Sequence, residues 1–227
     1  MPLQNLGVYP YPSNRGYNVR GYARGASAIY HQNWTDPIAV VTNGILTALA
    51  GPNTTTFTLT PGAGLNGSLV VGTRLVLDYA RNVVITVTHG SAVVAESGVI
   101  TGKDIYGKDL TEAWSVTAGT TSKTFTGAKA FKTITQITIT AVADASANTN
   151  VIGNGNVLGL DVNSALGVVA GAIKEIVAAA LVVTGTLVAK SASAAADPRG
   201  TYLPATVPNG TNDYDLWFIS DDPETSA

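Results

Sequence analysis

Two glycine-rich stretches of this chain come close to phosphate-binding loops, and their spacings decide against that chemistry. GVITGKD, over 98–104, reads G-x-x-x-G-K, one residue short of the loop whose backbone N–H groups cradle phosphate oxygens. Asp104 stands where the magnesium-binding Ser or Thr belongs, so a turn is expected there instead. GNGNVLGL, over 153–160, has glycines at 153, 155 and 159, one position off the dinucleotide fingerprint and without its βαβ setting. These glycines are expected to let the backbone turn with positive φ.

The remaining candidates for chemistry are sparse. There are two histidines, His31 and His89, and no cysteine, too few ligands for a zinc site within one chain. Ser, His and Asp all occur, but the nucleophile elbow G-x-S-x-G does not. Asp221, Asp222 and Glu224 cluster oxygen ligands near the C-terminus without the glycine-centred loop of a calcium site. No catalytic residue, cofactor or metal is expected.

Strands are what the rest of the pattern encodes. Apolar and polar residues alternate through Val83, Ile85 and Val87, and through Ile137, Ile139 and Ala141, as one half-buried face of an antiparallel sheet requires. TTTFTLT (54–60) alternates too. SLVVGTRLVLDYA (68–80) reads as one long strand with a bulge at Gly72, and DPIAVVTNGILTALA (36–50) as one or two buried strands around an Asn43-Gly44 turn. TYLPATV and YDLWFIS look like closing strands around Pro208-Asn209-Gly210. In the alanine- and valine-rich segment 161–196, a short helix over 172–180 competes with strands, which valine and glycine favour elsewhere. The expected fold is all-β, a jelly-roll-like β-sandwich over 37–220, with an extended N-terminal arm over 1–36 and an acidic tail over 221–227.

Composition narrows the class of partner. Charged residues make up 12% of the chain, against about 25% in an average domain, so much of the surface is expected to be covered by neighbours. A net charge of −2 creates no basic field to attract nucleic acid or an anionic membrane. The apolar run 165–188 is interrupted by Lys174, Glu175 and several glycines, and no transmembrane helix is expected. The first residues lack the basic and apolar regions of a secretory signal, which points to synthesis in the cytosol.

Binding chemistry concentrates at the two ends. Tyr9, Tyr11, Tyr17, Tyr22 and Tyr30 alternate with Arg15, Arg20 and Arg24 and are followed by Trp34. Tyrosine, tryptophan and arginine supply most of the energy at protein interfaces, so these nine residues are the candidate interface with a partner or a second copy. The competing reading is an arm that caps its own sheet. The tail carries Asp213, Asp215, Asp221, Asp222 and Glu224 without a base, and such complementary ends set register and encounter rate.

RNVVITVTHG, GKDIYGKDLTEAW, GAKAFKTITQITI, GNGNVLGL and DPRGTYLPATVPNGTNDYDLWF, in this order, resemble a group of tailed-bacteriophage virion proteins. Their D-x-x-G-x-x-x-T-E turn falls at 104–112, their G-x-K-A-F-K-T-V strand at 127–134 with Ile134 in the last position, their G-x-G-x-x-L-G-L turn at 153–160 and their D-x-R-G-T-Y-x-P phrase at 197–204. The resemblance covers roughly residues 81–218. It implies a head cement or decoration protein of the short-tailed phage type, a dimer or trimer that binds the major capsid protein on the outer face of the virion head. A tail, neck or fibre subunit is the alternative. A carbohydrate-binding β-module is a third reading, needing Trp114, Trp217 and surface tyrosines to form an aromatic platform, whereas Trp217 in its aliphatic strand is expected in the core.

Overall fold

The strands follow the alternation of the sequence, and a single long one organises them. The computed structural model describes residues 28–52, 54–143, 145–161, 174–182 and 185–220. In order, the strands are β1 (Ala28–Trp34), β2 (Leu46–Ala50), β3 (Phe57–Pro61), β4 (Gly64–Leu65), β5 (Val70–Val71), β6 (Arg74–His89), β7 (Glu96–Lys103) and β8 (Asp109–Val116). They continue with β9 (Lys123–Thr126), β10 (Phe131–Ile139), β11 (Asn148–Gly159), β12 (Lys174–Val177), β13 (Ala180–Val182), β14 (Thr186–Ala189), β15 (Gly200–Leu203) and β16 (Tyr214–Ser220). The fold is all-β, a sandwich of sheets.

A four-stranded antiparallel sheet has the order β1-β16-β12-β13. The larger sheet runs β14-β15-β11-β6-β10-β3-β4, with β2 added on β11, β5 and β9 on β6, and the β7–β8 hairpin on β10. Strand β6 is central because its sixteen residues are long enough to serve several neighbours. Its first half pairs with β5 and β10, and its second with β9 and β11.

Two apolar cores result. Val83, Ile85 and Val87 of β6 pack with Ile100, Trp114, Phe131, Ile134, Ile137, Ile139 and Ile152. The second core joins the two sheets: Trp34, Val177, Tyr214 and Leu216 from the smaller meet Leu158, Leu160 and Tyr202 from the larger. Full burial of such a side chain contributes about 1.5–3 kcal/mol, so the smaller sheet is fastened mainly by this second cluster.

Several local expectations change. Residues 98–103 belong to strand β7, and only Asp104 enters the turn. Residues 153–159 are also strand, within β11, and none of Gly153, Gly155 and Gly159 has positive φ. These glycines are needed for closeness instead. A Cβ at Gly98 would lie 1.9 Å from the Thr138 carbonyl oxygen, and one at Gly153 would lie 2.0 Å from that of Val41. Gly72, with φ of 60°, sits in the turn between β5 and β6, so the expected single strand is a hairpin. Asn43 and Gly44 do form a turn, but only β2 follows it and no strand precedes it directly. Strands β15 and β16 do not pair with each other. They lie in different sheets, and the Pro208–Gly210 turn carries the chain between them.

Within the alanine-rich segment the described residues form strands β12, β13 and β14 joined by turns and irregular backbone, and residues 174–180, where a helix competed, form a β-turn-β unit. Val177 pairs with Ala180 across a two-residue turn in which Ala178 and Ala179 have φ of 48° and 65°. Both values are left-handed, a geometry that suits the twist of a hairpin but favours Asn-Gly over alanine. The arm boundary also moves. Residues 28–34 are not an extended arm but β1, paired along its whole length with β16 from Ala28↔Ser220 to Trp34↔Tyr214.

Replacing Ala178 by Asn and Ala179 by Gly together is expected to raise unfolding free energy by about 1–2 kcal/mol, because the left-handed cost disappears. Chemical denaturation of the double variant measures it, and an unchanged or lower midpoint would contradict the turn geometry.

Candidate functional site

Strand β6 changes partners in the middle, and two adjacent polar side chains fill the gap this leaves. Pairing with β11 runs in register from His89 to Val83, then slips so that Arg81 meets Leu158. Backbone groups around the slip lose their ladder partners and need others. Arg81, fully buried, donates from Nη1 to the Gly155 carbonyl (3.2 Å) and from Nη2 to the Ile38 carbonyl (2.7 Å) and Asp78 Oδ2 (3.1 Å). Asn82 donates from Nδ2 to the Gly127 carbonyl (3.0 Å) and accepts from the Val157 N–H at Oδ1 (3.0 Å). Burial pulls the Arg81 guanidinium below its ordinary range, and the Asp78 carboxylate opposes that pull.

The recurring phrases of the sequence meet at one loop, 127–130. Glu112 of β8 accepts from the N–H groups of Ala128 (2.6 Å) and Lys129 (3.2 Å), and Lys129 Nζ returns to the Thr111 carbonyl (2.7 Å). Asp197 accepts from Ala130 at Oδ2 (2.8 Å), and from Arg199 (2.8 Å) and Gly200 (3.2 Å) at Oδ1. Arg199 donates to the carbonyls of Leu160 and Asp161, and its guanidinium lies 4.2 Å from the centre of the Tyr106 ring. Tyr106 in turn donates to the Asp161 carbonyl (2.6 Å), which latches the tip of the β7–β8 hairpin over the end of β11.

The buried acids Glu112 and Asp197 of this network accept from main-chain N–H groups. Burial raises the pKa of Glu112 and Asp197 against the pull of the N–H groups they hold. Asp161 is raised by burial too, opposed by Gln32 and Arg199. Glu96 shifts in the same direction, with Asn148 Nδ2 (2.9 Å) as its partner at Oε1. Between the sheets, Glu175 Oε2 accepts from the Tyr202 hydroxyl and from the N–H groups of Gly185 (3.0 Å) and Ala205 (3.1 Å). Burial and the Glu175 carboxyl push the Tyr202 hydroxyl well above its ordinary range.

The expected interface residues fall into three groups. Tyr9, Tyr11, Arg15, Tyr17, Arg20, Tyr22 and Arg24 lie outside the described residues. Tyr30 is in β1, opposite Phe218. Trp34 is a correction: it is 1% exposed, and its ring stacks 6.1 Å from that of Tyr202. Strand parity turns it inward, so its surface is covered by its own chain and is not an anchor for a partner.

The other tryptophans also sort differently from expectation. Trp114 is 2% exposed, with its Nε1 donating to the Thr138 carbonyl (3.1 Å). Trp217, expected in the core, is 41% exposed on the outer face of the four-stranded sheet. It stacks on His31 with centroids 4.3 Å apart and planes at 16°. His31 Nε2 lies 2.7 Å from Asp215 Oδ1, which also accepts from Asn33 Nδ2 (3.0 Å). Period-2 alternation through Tyr214, Asp215, Leu216 and Trp217 carried this signal, because Tyr214 and Leu216 take the inward positions.

No family model, curated protein or solved structure matches the chain. Among the described residues, no group of three His, Asp or Glu side chains could hold a metal ion, and no helix is long and apolar enough to cross a membrane.

The four raised carboxyls give stability a defined pH dependence. A raised folded-state pKa means that the stabilising contribution is complete below the ordinary carboxyl range and is lost as pH rises through the folded value. Lowering the pH from about 7 to about 5 is therefore expected to raise the denaturation midpoint. Glu96→Gln, which fixes the neutral form where no cation is paired with it, is expected to flatten part of that slope. A midpoint that falls steadily over the same interval in the parent chain would contradict the assignment.

Proposed function

We propose that the protein is a virion structural subunit, a cement or decoration protein that binds the outer surface of a tailed-phage head and ties neighbouring capsomers together. The observation that carries this reading is the pairing of Ala28 with Ser220. The arm, with Arg15, Arg20 and Arg24, and the tail, with Asp221, Asp222 and Glu224, are thereby rooted side by side at one end of the smaller sheet. Two segments of opposite charge leaving one point suit a subunit that links to neighbours through its ends while the sandwich stays rigid.

The order of phrases, which resembles that of tailed-phage virion proteins, supports the same reading, and so does the role those phrases have here. Asp104, Glu112, Lys129, Asp197 and Arg199 are engaged inside the fold. A resemblance carried by such residues concerns a scaffold, and a scaffold with little surface charge fits a densely packed assembly.

Cementing has a simple physical basis. A subunit bound to two capsomers is released only when both contacts open, so modest individual contacts become long-lived through high effective concentration. The major capsid protein and further copies of this chain, as a dimer or trimer, are the partners in this reading. Tyrosines of the arm supply apolar anchors, and its arginines supply bidentate contacts to acidic groups of the shell.

Removing residues 1–27 is expected to leave the sandwich folded and to abolish binding to expanded, emptied heads, read by co-sedimentation. Full occupancy by the truncated chain would refute the role of the arm, and immunolabelling confined to the tail would refute the head location. Arg15, Arg20 and Arg24 changed together to Ala should weaken head binding by at least about tenfold and reduce its dependence on salt.

A further inference from the structure

The outer face of the four-stranded sheet carries a group of side chains that neither core uses. His31 is paired with Trp217 across β1 and β16, and Asn33 with Asp215, so the four side chains make a two-by-two tile. Trp217 presents an indole to solvent where the other two tryptophans of the chain are buried. Stacking on His31 holds that indole in one orientation, and the His31 and Asn33 contacts to Asp215 Oδ1 hold the carboxylate beside it. The Asp215 side chain remains one-third exposed, so it still meets solvent.

We propose that this tile is a binding site for a neutral pyranose, one sugar residue of a glycan. A pyranose has an apolar C–H face and a rim of hydroxyls. The indole matches the first, and the Asp215 carboxylate and Asn33 amide match the second, with the carboxylate accepting from hydroxyl donors. The surroundings select among ligands. A lipid surface would need a broad apolar patch, whereas the single indole here is bordered along β1 and β16 by His31, Asn33, Thr35 and Asp215, with Thr35 Oγ1 donating to Asn33 Oδ1 (2.8 Å), and on β12 by the positions of Lys174 and Ile176, which pair with Trp217 and Asp215. Nucleotides and acidic sugars bring negative charge towards Asp215.

Prior ordering matters because a single sugar offers little binding energy. The His31 stack and the two contacts to Asp215 fix the side chains before the ligand arrives, which lowers the entropic cost of binding. The site does not depend on the capsid reading. It stands on the sandwich itself, and glycan binding by the chain without any capsid would leave that reading open.

The test uses the full chain and follows tryptophan indole N–H resonances during titration with neutral disaccharides of gluco, galacto, manno and N-acetylglucosamine configuration. The Trp217 resonance is identified by its loss in Trp217→Phe. At least one sugar is expected to shift it saturably, with a Kd on the order of 1 mM. Asp215→Asn should weaken that binding at least about fivefold, and Trp217→Ala should abolish it. Retained Trp34 and Trp114 resonances report that each variant is folded; should Trp217→Ala unfold, the Asp215→Asn titration decides. Absence of any shift up to about 50 mM sugar would overturn the proposal, as would sugar binding that persists unchanged in a folded Trp217→Ala. A tryptophan-rich peptide that saturates the same resonance where no sugar does would assign the tile to a protein partner instead.

Discussion

A buried guanidinium that cannot reach water governs this fold. Arg81 sits where β6 passes from one set of neighbours to the other, and its desolvation is tolerable only because carbonyls from residues 38 and 155 and the Asp78 carboxylate surround it. The two carbonyls come from segments far apart in the chain. Satisfying one cation thus fixes the approach to β2 and the slip in β11 against the first half of β6. Asn82, facing the opposite way on the same strand, does the same for the 127–130 loop and for Val157.

A second layer of polar residues extends that logic outward. Glu112 and Asp197 each take N–H groups from the one short loop before β10, and Arg199 closes the end of β11. Apolar packing supplies most of the stabilisation but tolerates slippage, because strands of similar composition can pair in more than one register. The buried acids and bases remove that freedom. A shifted strand would leave a carboxylate or guanidinium buried without partners, at a cost of several kcal/mol.

How much of this was legible from residues alone depends on the range of the interaction concerned. Alternation located β3, β10 and the second half of β6, since strand parity is a local property. Gly72 and the glycines at 98, 153 and 155 were misread, because a glycine for turning and a glycine for closeness look alike until the opposing backbone is known. Val41 lies more than a hundred residues from Gly153, and no spacing rule connects them. Trp34 and Trp217 exchanged their expected places for a related reason. Each belongs to a strand whose inward face is decided by the second core, and that core exists only after β11 and β15 meet the smaller sheet. The acids of the recurring phrases were visible as a pattern, but that they hold main-chain N–H groups could be seen only in three dimensions.

The pairing of Ala28 with Ser220 also makes the described chain nearly a closed loop. A short linker between those two residues would convert the polypeptide into a ring without moving a strand, and new ends could then be opened at the exposed tip of the β7–β8 hairpin, near Gly107. Chain order and sheet architecture are in that sense separable here. The sandwich is specified by which strands meet, and the position of its ends is a matter of where the ring happens to be cut.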